Sequence, residues 1–160
     1  MTDRHDINLH INGDVYRISV EARKTLADAI REECGLTGTH IGCEHGVCGA
    51  CTVLVNDQPV RACLMFAVQA KDKPIRTVEG LAKGDKPHAL QQAFMDNHGL
   101  QCGFCTPGFL MLAAGALEAK PEMTEDELVH VLSSNLCRCT GYHNILKSVK
   151  AAAVEMAKAR

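Results

Sequence analysis

The sequence predicts an α+β protein built in two halves. Residues 1–80 carry short runs of alternating apolar and polar residues separated by turn signals, whereas residues 81–160 carry apolar residues at helical spacing. Nine cysteines are present, and eight of them fall into two groups of four, one group in each half. A cysteine-rich chain whose residues 1–12 show no charged start followed by an apolar run is expected in the reducing cytoplasm, where cysteines serve as ligands more often than as disulfides.

In the first half, Ile7-Asn8-Leu9-His10-Ile11 alternates, Asn12-Gly13-Asp14 signals a hairpin, and Val15-Tyr16-Arg17-Ile18-Ser19-Val20 alternates again. Thr25 with Asp28 three residues later resembles a capping box. It opens a helix in which Leu26, Ile30 and Cys34 share one face, ending at Gly35. Cys34 therefore reads as a core thiol rather than a ligand. Thr52-Val53-Leu54-Val55 is a buried strand, Asn56-Asp57-Gln58-Pro59 a turn, residues 60–66 an apolar run holding Cys63, and Ile75-Arg76-Thr77-Val78 a closing strand. A hairpin, a crossing helix and two or three further strands describe a β-grasp, ferredoxin-like domain ending near Gly80.

Between helix and strand lies Gly42-Cys43-Glu44-His45-Gly46-Val47-Cys48-Gly49-Ala50-Cys51. With Cys63 it has the C-x4-C-x2-C plus remote cysteine spacing of a plant-type [2Fe–2S] site. Such a cluster carries net negative charge and needs amide donors close to its sulfurs, and Gly42, Gly46 and Gly49 are expected to turn the loop so that amides point inward. Zinc is the competing reading, because Cys48-x2-Cys51 alone suits a zinc knuckle. The four-residue gap, the glycines and the single remote cysteine favour iron and sulfide. A Rieske centre is excluded, since no C-x-x-H supplies its second half. His45 reads as a solvated loop residue.

Gly84-Asp85-Lys86-Pro87 marks the boundary, with Pro87 expected at the first position of a helix over 87–98 that turns Leu90, Ala93 and Phe94 inward. A second helix over 107–120 presents Phe109, Leu112, Ala113, Ala116 and Leu117 on one face. Thr124 and Glu127 form a capping box for a third, with Leu128, Val131 and Leu132 inward. A fourth over 142–158 stripes Ile145, Val149, Ala152 and Met156. The second half is thus expected to be an all-α, four-helix-bundle domain. Cys102-x2-Cys105 and Cys137-x-Cys139 occupy its two interhelical loops. Thr106 and Thr140 follow them as caps, which places each pair at a helix start, where free amides and the helix dipole favour an anion and lower thiol pKa values. Taken alone, C-x2-C with a later C-x-C leaves zinc a fair competitor; beside the first set, two related αα-hairpins clamping a second [2Fe–2S] cluster is the stronger reading.

Composition narrows the function. Net charge is −2 from 17 basic and 19 acidic residues, which offers neither a basic face for nucleic acid nor a strongly acidic one for a freely diffusing carrier. No run approaches the roughly 18 apolar residues of a membrane span. No glycine-rich phosphate loop and no hydrolytic constellation stands out. The small residues Ala113-Ala114-Gly115-Ala116 suggest a helix face for close contact with a partner chain.

Three motifs, Gly42-Cys43-Glu44-x-Gly46-x-Cys48-Gly49-Ala50-Cys51-Thr52, Gln101-Cys102-Gly103-Phe104-Cys105-Thr106-Pro107-Gly108 and Asn135-Leu136-Cys137-Arg138-Cys139-Thr140-Gly141-Tyr142, together resemble the iron–sulfur subunit of the molybdenum hydroxylases, the xanthine dehydrogenase, aldehyde oxidoreductase and carbon monoxide dehydrogenase family. The resemblance runs in order over nearly the whole chain. It implies an electron-transfer subunit with two [2Fe–2S] clusters, held by Cys43, Cys48, Cys51 and Cys63 and by Cys102, Cys105, Cys137 and Cys139. It also implies a large partner chain carrying the molybdenum–pterin cofactor and a medium chain carrying FAD. Electrons are then expected to leave molybdenum through the helical-domain cluster, next the ferredoxin-domain cluster, and finally flavin. Gln101 and Cys139 match the positions that approach the pterin. The substrate is handled in the large chain, so His40 and His45 carry no information about it.

Overall fold

The computed structural model describes residues 3–158. Strands β1 (Arg4–Ile11) and β2 (Asp14–Glu21) form the antiparallel hairpin, turning through Asn12 and Gly13 at φ 56° and 96°. Ile7, Leu9 and Ile11 point inward while Asn8 and His10 do not, as the alternation requires. β3 (Thr52–Val55), β4 (Gln58–Arg61) and β5 (Pro74–Arg76) complete a mixed sheet in the order β2-β1-β5-β3-β4, in which only β1 and β5 run parallel. The turn between β3 and β4 is shorter than its sequence suggests. Asn56 and Asp57 alone form it, both at positive φ (50° and 61°), the two-residue geometry that matches strand twist. Gln58 and Pro59 belong to β4, an edge strand, where proline is tolerated.

Helix α1 begins at Leu26–Asp28, capped by the Thr25 hydroxyl, which accepts the Asp28 amide at 3.1 Å. Asp28 does not close the expected box. Its carboxylate accepts the Thr25 hydroxyl at 2.6 Å instead of the Thr25 amide. The helix then widens into a π turn, Ala29–Glu33, with Cys34 N–H donating to Ala29 O at 3.1 Å. Leu26 and Ile30 are fully buried, and the wider turn leaves Cys34 half-buried against the same core. Cys63 sits in a 3-10 turn, Ala62–Leu64, directly after β4.

The second half holds α2 (Ala89–Asp96), α3 (Thr106–Ala119), α4 (Glu125–Leu132) and α5 (Tyr142–Lys158), with α2 packed on α5 and α3 on α4. Pro87 precedes α2 instead of opening it. His88 is the N-cap: its ring nitrogen accepts the Leu90 amide at 3.2 Å, and Gln91 accepts the His88 amide at 2.8 Å. The Thr124–Glu127 box at α4 forms as its sequence predicts.

Helix α3 departs most from a one-faced amphipathic helix. Every residue from Gly108 through Gly115 is buried, whereas Ala116 is only partly so. The reason is position: α3 lies between the other helices and the sheet, packing against β3 and β4. All four residues of β3 are buried, with Val53 and Val55 in the sheet core and Leu54 in the helical one. A Cβ on Gly115 would stand 2.8 Å from Leu54 and 2.9 Å from Pro59. The small-residue stretch therefore serves contact inside the chain, not with a partner. Arg76 of β5 pairs in a fork with Glu118 of α3, one arm at 3.1 Å, across the same boundary.

Candidate metal centres

Cys43, Cys48, Cys51 and Cys63 come together where the loop between α1 and β3 passes the turn after β4. Their thiols meet in two pairs, Cys43 with Cys48 and Cys51 with Cys63. The amides of Cys48, His45 and Val47 face Cys43, those of Ala50 and Gly42 face Cys48, and that of Gly46 faces Cys63. Gly46 and Gly49 adopt φ of +85° and +72°, which is how the loop turns its amides inward. Gly42 works differently from the expectation. Its φ is ordinary, and its value is space: a Cβ there would lie 3.2 Å from the Cys48 sulfur and 3.3 Å from the Phe104 ring. His45 is exposed, its ring on Cys43 O at 2.5 Å.

Cys102 and Cys105 lie between α2 and α3, Cys137 and Cys139 between α4 and α5. They pair across the two hairpins, Cys102 with Cys139 and Cys105 with Cys137. Gly141 N–H donates to the Cys137 sulfur at 3.3 Å, and the Cys137 amide to the Tyr142 hydroxyl at 2.9 Å. The Gln101 side-chain Nε2 donates to Cys139 O at 3.1 Å, so the two positions matched to pterin contact stand side by side; Gln101 and Cys102 are exposed. The threonines are not the caps. Cys105 itself is the N-cap of α3, the Thr106 hydroxyl is buried without a partner, and Thr140 takes φ 56°.

The electrostatics divide by burial. The Cys48 amide and its neighbours hold the Cys43 thiol down at about 6, and the Phe104 amide lowers Cys102. Burial raises Cys48, pushes Cys63 up to about 11 and Cys105 up to about 12. At Cys105, therefore, desolvation outweighs the helix start that was expected to lower its pKa. Metal binding deprotonates such thiols outright, so loading these sites releases protons.

The two sites share a seam. Leu136 N–H donates to the backbone carbonyl of Cys48 at 2.9 Å, which links the residue before Cys137 to the main chain of a cysteine of the first set. Gly49 O accepts the Thr52 amide at 3.1 Å, the Thr52 hydroxyl at 2.6 Å and the Asn135 side-chain amide at 3.3 Å. The His40 ring stacks on Phe104 at 4.8 Å and meets Phe104 O at 2.8 Å. A cavity of about 540 Å³ opens between the sites, bounded by Cys48 on one side and Cys102, Cys105 and Cys137 on the other.

These residues fit two binuclear clusters. Four thiols gathered in each set would hold an iron–sulfur cluster, and the amides around them suit sulfur acceptors. The predicted cysteines are thus brought together in the two predicted groups, and Cys34 is left out of both. Arg61, which reaches Gly46, Thr52 and Ser134, was not singled out; Asn135 was quoted only as part of the third motif, and His40 only as silent about the substrate. A charged or amide side chain beside a ligand motif is the one signal that pointed to them.

No helix among the described residues is long and apolar enough to cross a membrane. The family described as a 2Fe-2S iron-sulfur cluster binding domain matches residues 9–79, and that described as a [2Fe-2S] binding domain matches residues 77–150. The chain is 53% identical over 149 residues to caffeine dehydrogenase subunit gamma of Pseudomonas sp. (strain CBB1), covering 91% of this chain and 89% of that one. It is 51% identical over 148 residues to the nicotine 6-hydroxylase small subunit of Paenarthrobacter nicotinovorans, covering 92% and 89%. The crystal structure of quinoline 2-oxidoreductase from Pseudomonas putida 86 superposes with a TM-score of 0.92 at 49% identity, covering 97% of each chain.

Proposed function

Because this chain belongs to the iron–sulfur subunits of the molybdenum hydroxylases, the xanthine dehydrogenase family, we propose that its two cysteine sets are the ligands of two [2Fe–2S] clusters. The chain is an electron-transfer subunit of a multi-subunit oxidoreductase and does not itself carry out the substrate chemistry. Cys43, Cys48, Cys51 and Cys63 hold one cluster; Cys102, Cys105, Cys137 and Cys139 hold the other. The observation that carries the assignment is the gathering of four thiols in each set: Cys43 beside Cys48 and Cys63 beside Cys51 with Cys43 near, Cys102 beside Cys139 and Cys105 beside Cys137 with Cys102 near. When bound, the clusters supply one-electron storage at each site.

The chain's own residues supply insulation and orientation. Burial of Cys51, Cys63 and Cys137 keeps water from those residues, and the Gly46 and Gly141 amides face the Cys63 and Cys137 sulfurs. We read the halves as a β-grasp domain over 1–80 and a four-helix-bundle domain over 81–160. The edge formed by exposed Gln101 and Cys102 with half-buried Cys139 faces the large chain and its molybdenum–pterin, and the first site faces a medium chain carrying FAD; the complex works in the cytoplasm. Gln101 holds the Cys139 carbonyl and with it the edge that meets the pterin. The substrate belongs to the large chain, and N-heterocycles, the class of caffeine, nicotine and quinoline, are the first panel to try.

Gln101→Ala tests the orientation. With iron content and both EPR signals retained in the complex, stopped-flow reduction of the clusters by substrate slows by about tenfold or more, as misplacement by ~1 Å can cost. Unchanged rates would reduce Gln101 to a loop tie.

A further inference from the structure

Arg61 ends β4 two residues before Cys63, and its guanidinium lies between the two halves of the chain. Nε donates to Gly46 O at 3.3 Å, Nη1 to the Thr52 hydroxyl at 2.6 Å, and Nη2 to Ser134 O at 2.7 Å, with Ser134 Oγ at 3.3 Å. Two of these contacts lead back to one thiol pair. The peptide whose Gly46 carbonyl accepts Nε presents its Val47 N–H to Cys43. The Thr52 hydroxyl that accepts Nη1 donates to Gly49 O at 2.6 Å, and the N–H of that peptide, on Ala50, faces Cys48.

A cation at the carbonyl end of a peptide polarises it and strengthens the hydrogen bond at its N–H end. Both relays therefore push positive character toward Cys43 and Cys48. Arginine holds its charge at every accessible pH, and its planar fork can serve several acceptors at once. Net charge and hydrogen bonds to sulfur are among the factors that set iron–sulfur potentials. Reduction adds negative charge, which such donors stabilise.

We propose that Arg61 is a positioning residue that raises the reduction potential of the first site by holding two peptides against the Cys43–Cys48 pair. This rests on reading Cys43, Cys48, Cys51 and Cys63 as cluster ligands. The Ser134 contact makes the same guanidinium a tie to the loop that carries Cys137, so the electrostatic setting of the first site depends on docking of the helical half.

The test is an EPR-monitored redox titration of the purified complex, with each signal assigned by its loss in Cys48→Ala or Cys102→Ala. Arg61→Gln disfavours reduction of the first site by about tenfold, or ~59 mV for a one-electron couple, while the second site keeps its potential. Arg61→Lys keeps a charge but cannot reach Gly46, Thr52 and Ser134 together, so its potential falls between those of the wild type and Arg61→Gln. Wild-type first-site potentials in the loaded variants overturn the proposal. If Arg61→Gln loses the first cluster, Arg61→Lys decides by the same measurement. Loss of that cluster from both variants overturns the tuning role in favour of a purely structural brace. Failure of the ligand reading shows separately, as a wild-type complex lacking one or both signals.

Discussion

Gly108→Ala sets helix propensity against packing, and the sign of its effect tests how the two halves meet. Gly108 lies in the first turn of α3, where alanine is worth up to about 1 kcal/mol more than glycine in a helix. A Cβ there would stand 2.3 Å from Gly49 O and 3.0 Å from the Ala50 Cα, about 1 Å inside ordinary contact. The obstacle is backbone and cannot rotate away. Gly49 O is also pinned by Thr52 and Asn135, so the loop can yield only by losing one of those bonds. Overpacking of this kind costs about 1–3 kcal/mol and a lost hydrogen bond about 1 kcal/mol. Against the helical gain, the net loss is about 2 kcal/mol, or a fall in Tm of roughly 4–8 °C for a chain of this size. The assay is thermal unfolding of the cluster-loaded chain. Gly115→Ala is the comparison: its Cβ meets the side chains of Leu54 and Pro59, and Leu54 can move, so its loss is smaller. A Tm equal to or above wild type for Gly108→Ala would refute the close approach of α3 to the cysteine loop.

Metal and sulfide analysis of each chain yields about four irons and four acid-labile sulfides; zinc in place of iron would contradict the ligand assignment. Cys34→Ala leaves both EPR signals in place, whereas Cys48→Ala abolishes that of the first site alone; a missing signal in Cys34→Ala would make Cys34 a ligand. Burial pushes the Cys34 thiol up to about 11, from an ordinary value of 9.0. Its neutral form is therefore favoured by folding, and the stability it contributes is complete below pH 9 and lost as pH rises toward 11. Urea denaturation midpoints measured across that window fall less steeply in Cys34→Ala than in wild type, and parallel slopes would count against the burial argument. The Arg76–Glu118 fork ties β5 to α3, and a double-mutant cycle with Arg76→Met and Glu118→Gln returns a coupling of about 1 kcal/mol. A coupling near zero would leave that boundary to apolar packing.

The chemistry of the chain was readable from local spacing because ligand motifs and caps act over a few residues. The spacing grouped Cys43, Cys48, Cys51 and remote Cys63 together, and Cys102, Cys105, Cys137 and Cys139 together, and the fold gathers the same two groups. The Asn12–Gly13 hairpin, the Thr124–Glu127 box and the full length of α5 followed from turn chemistry and periodicity. Even so, spacing could not say which thiols meet, since crosswise pairing of Cys102 with Cys139 depends on how two hairpins dock. It could not say that α3 is buried on both faces, because a helix shows its second face only when a sheet covers it. For the same reason Ala113-Ala114-Gly115-Ala116 looked like a surface for another chain. The cap at His88, whose ring reaches the Leu90 amide, and the start of α3 at Thr106 with Cys105 before it were decided by how the loops enter their helices. Arg61 is the extreme case: as a sequence position it is one basic residue at the end of a strand. Only the fold sets Gly46, Thr52 and Ser134 around its guanidinium, because those acceptors come from segments far apart in the chain.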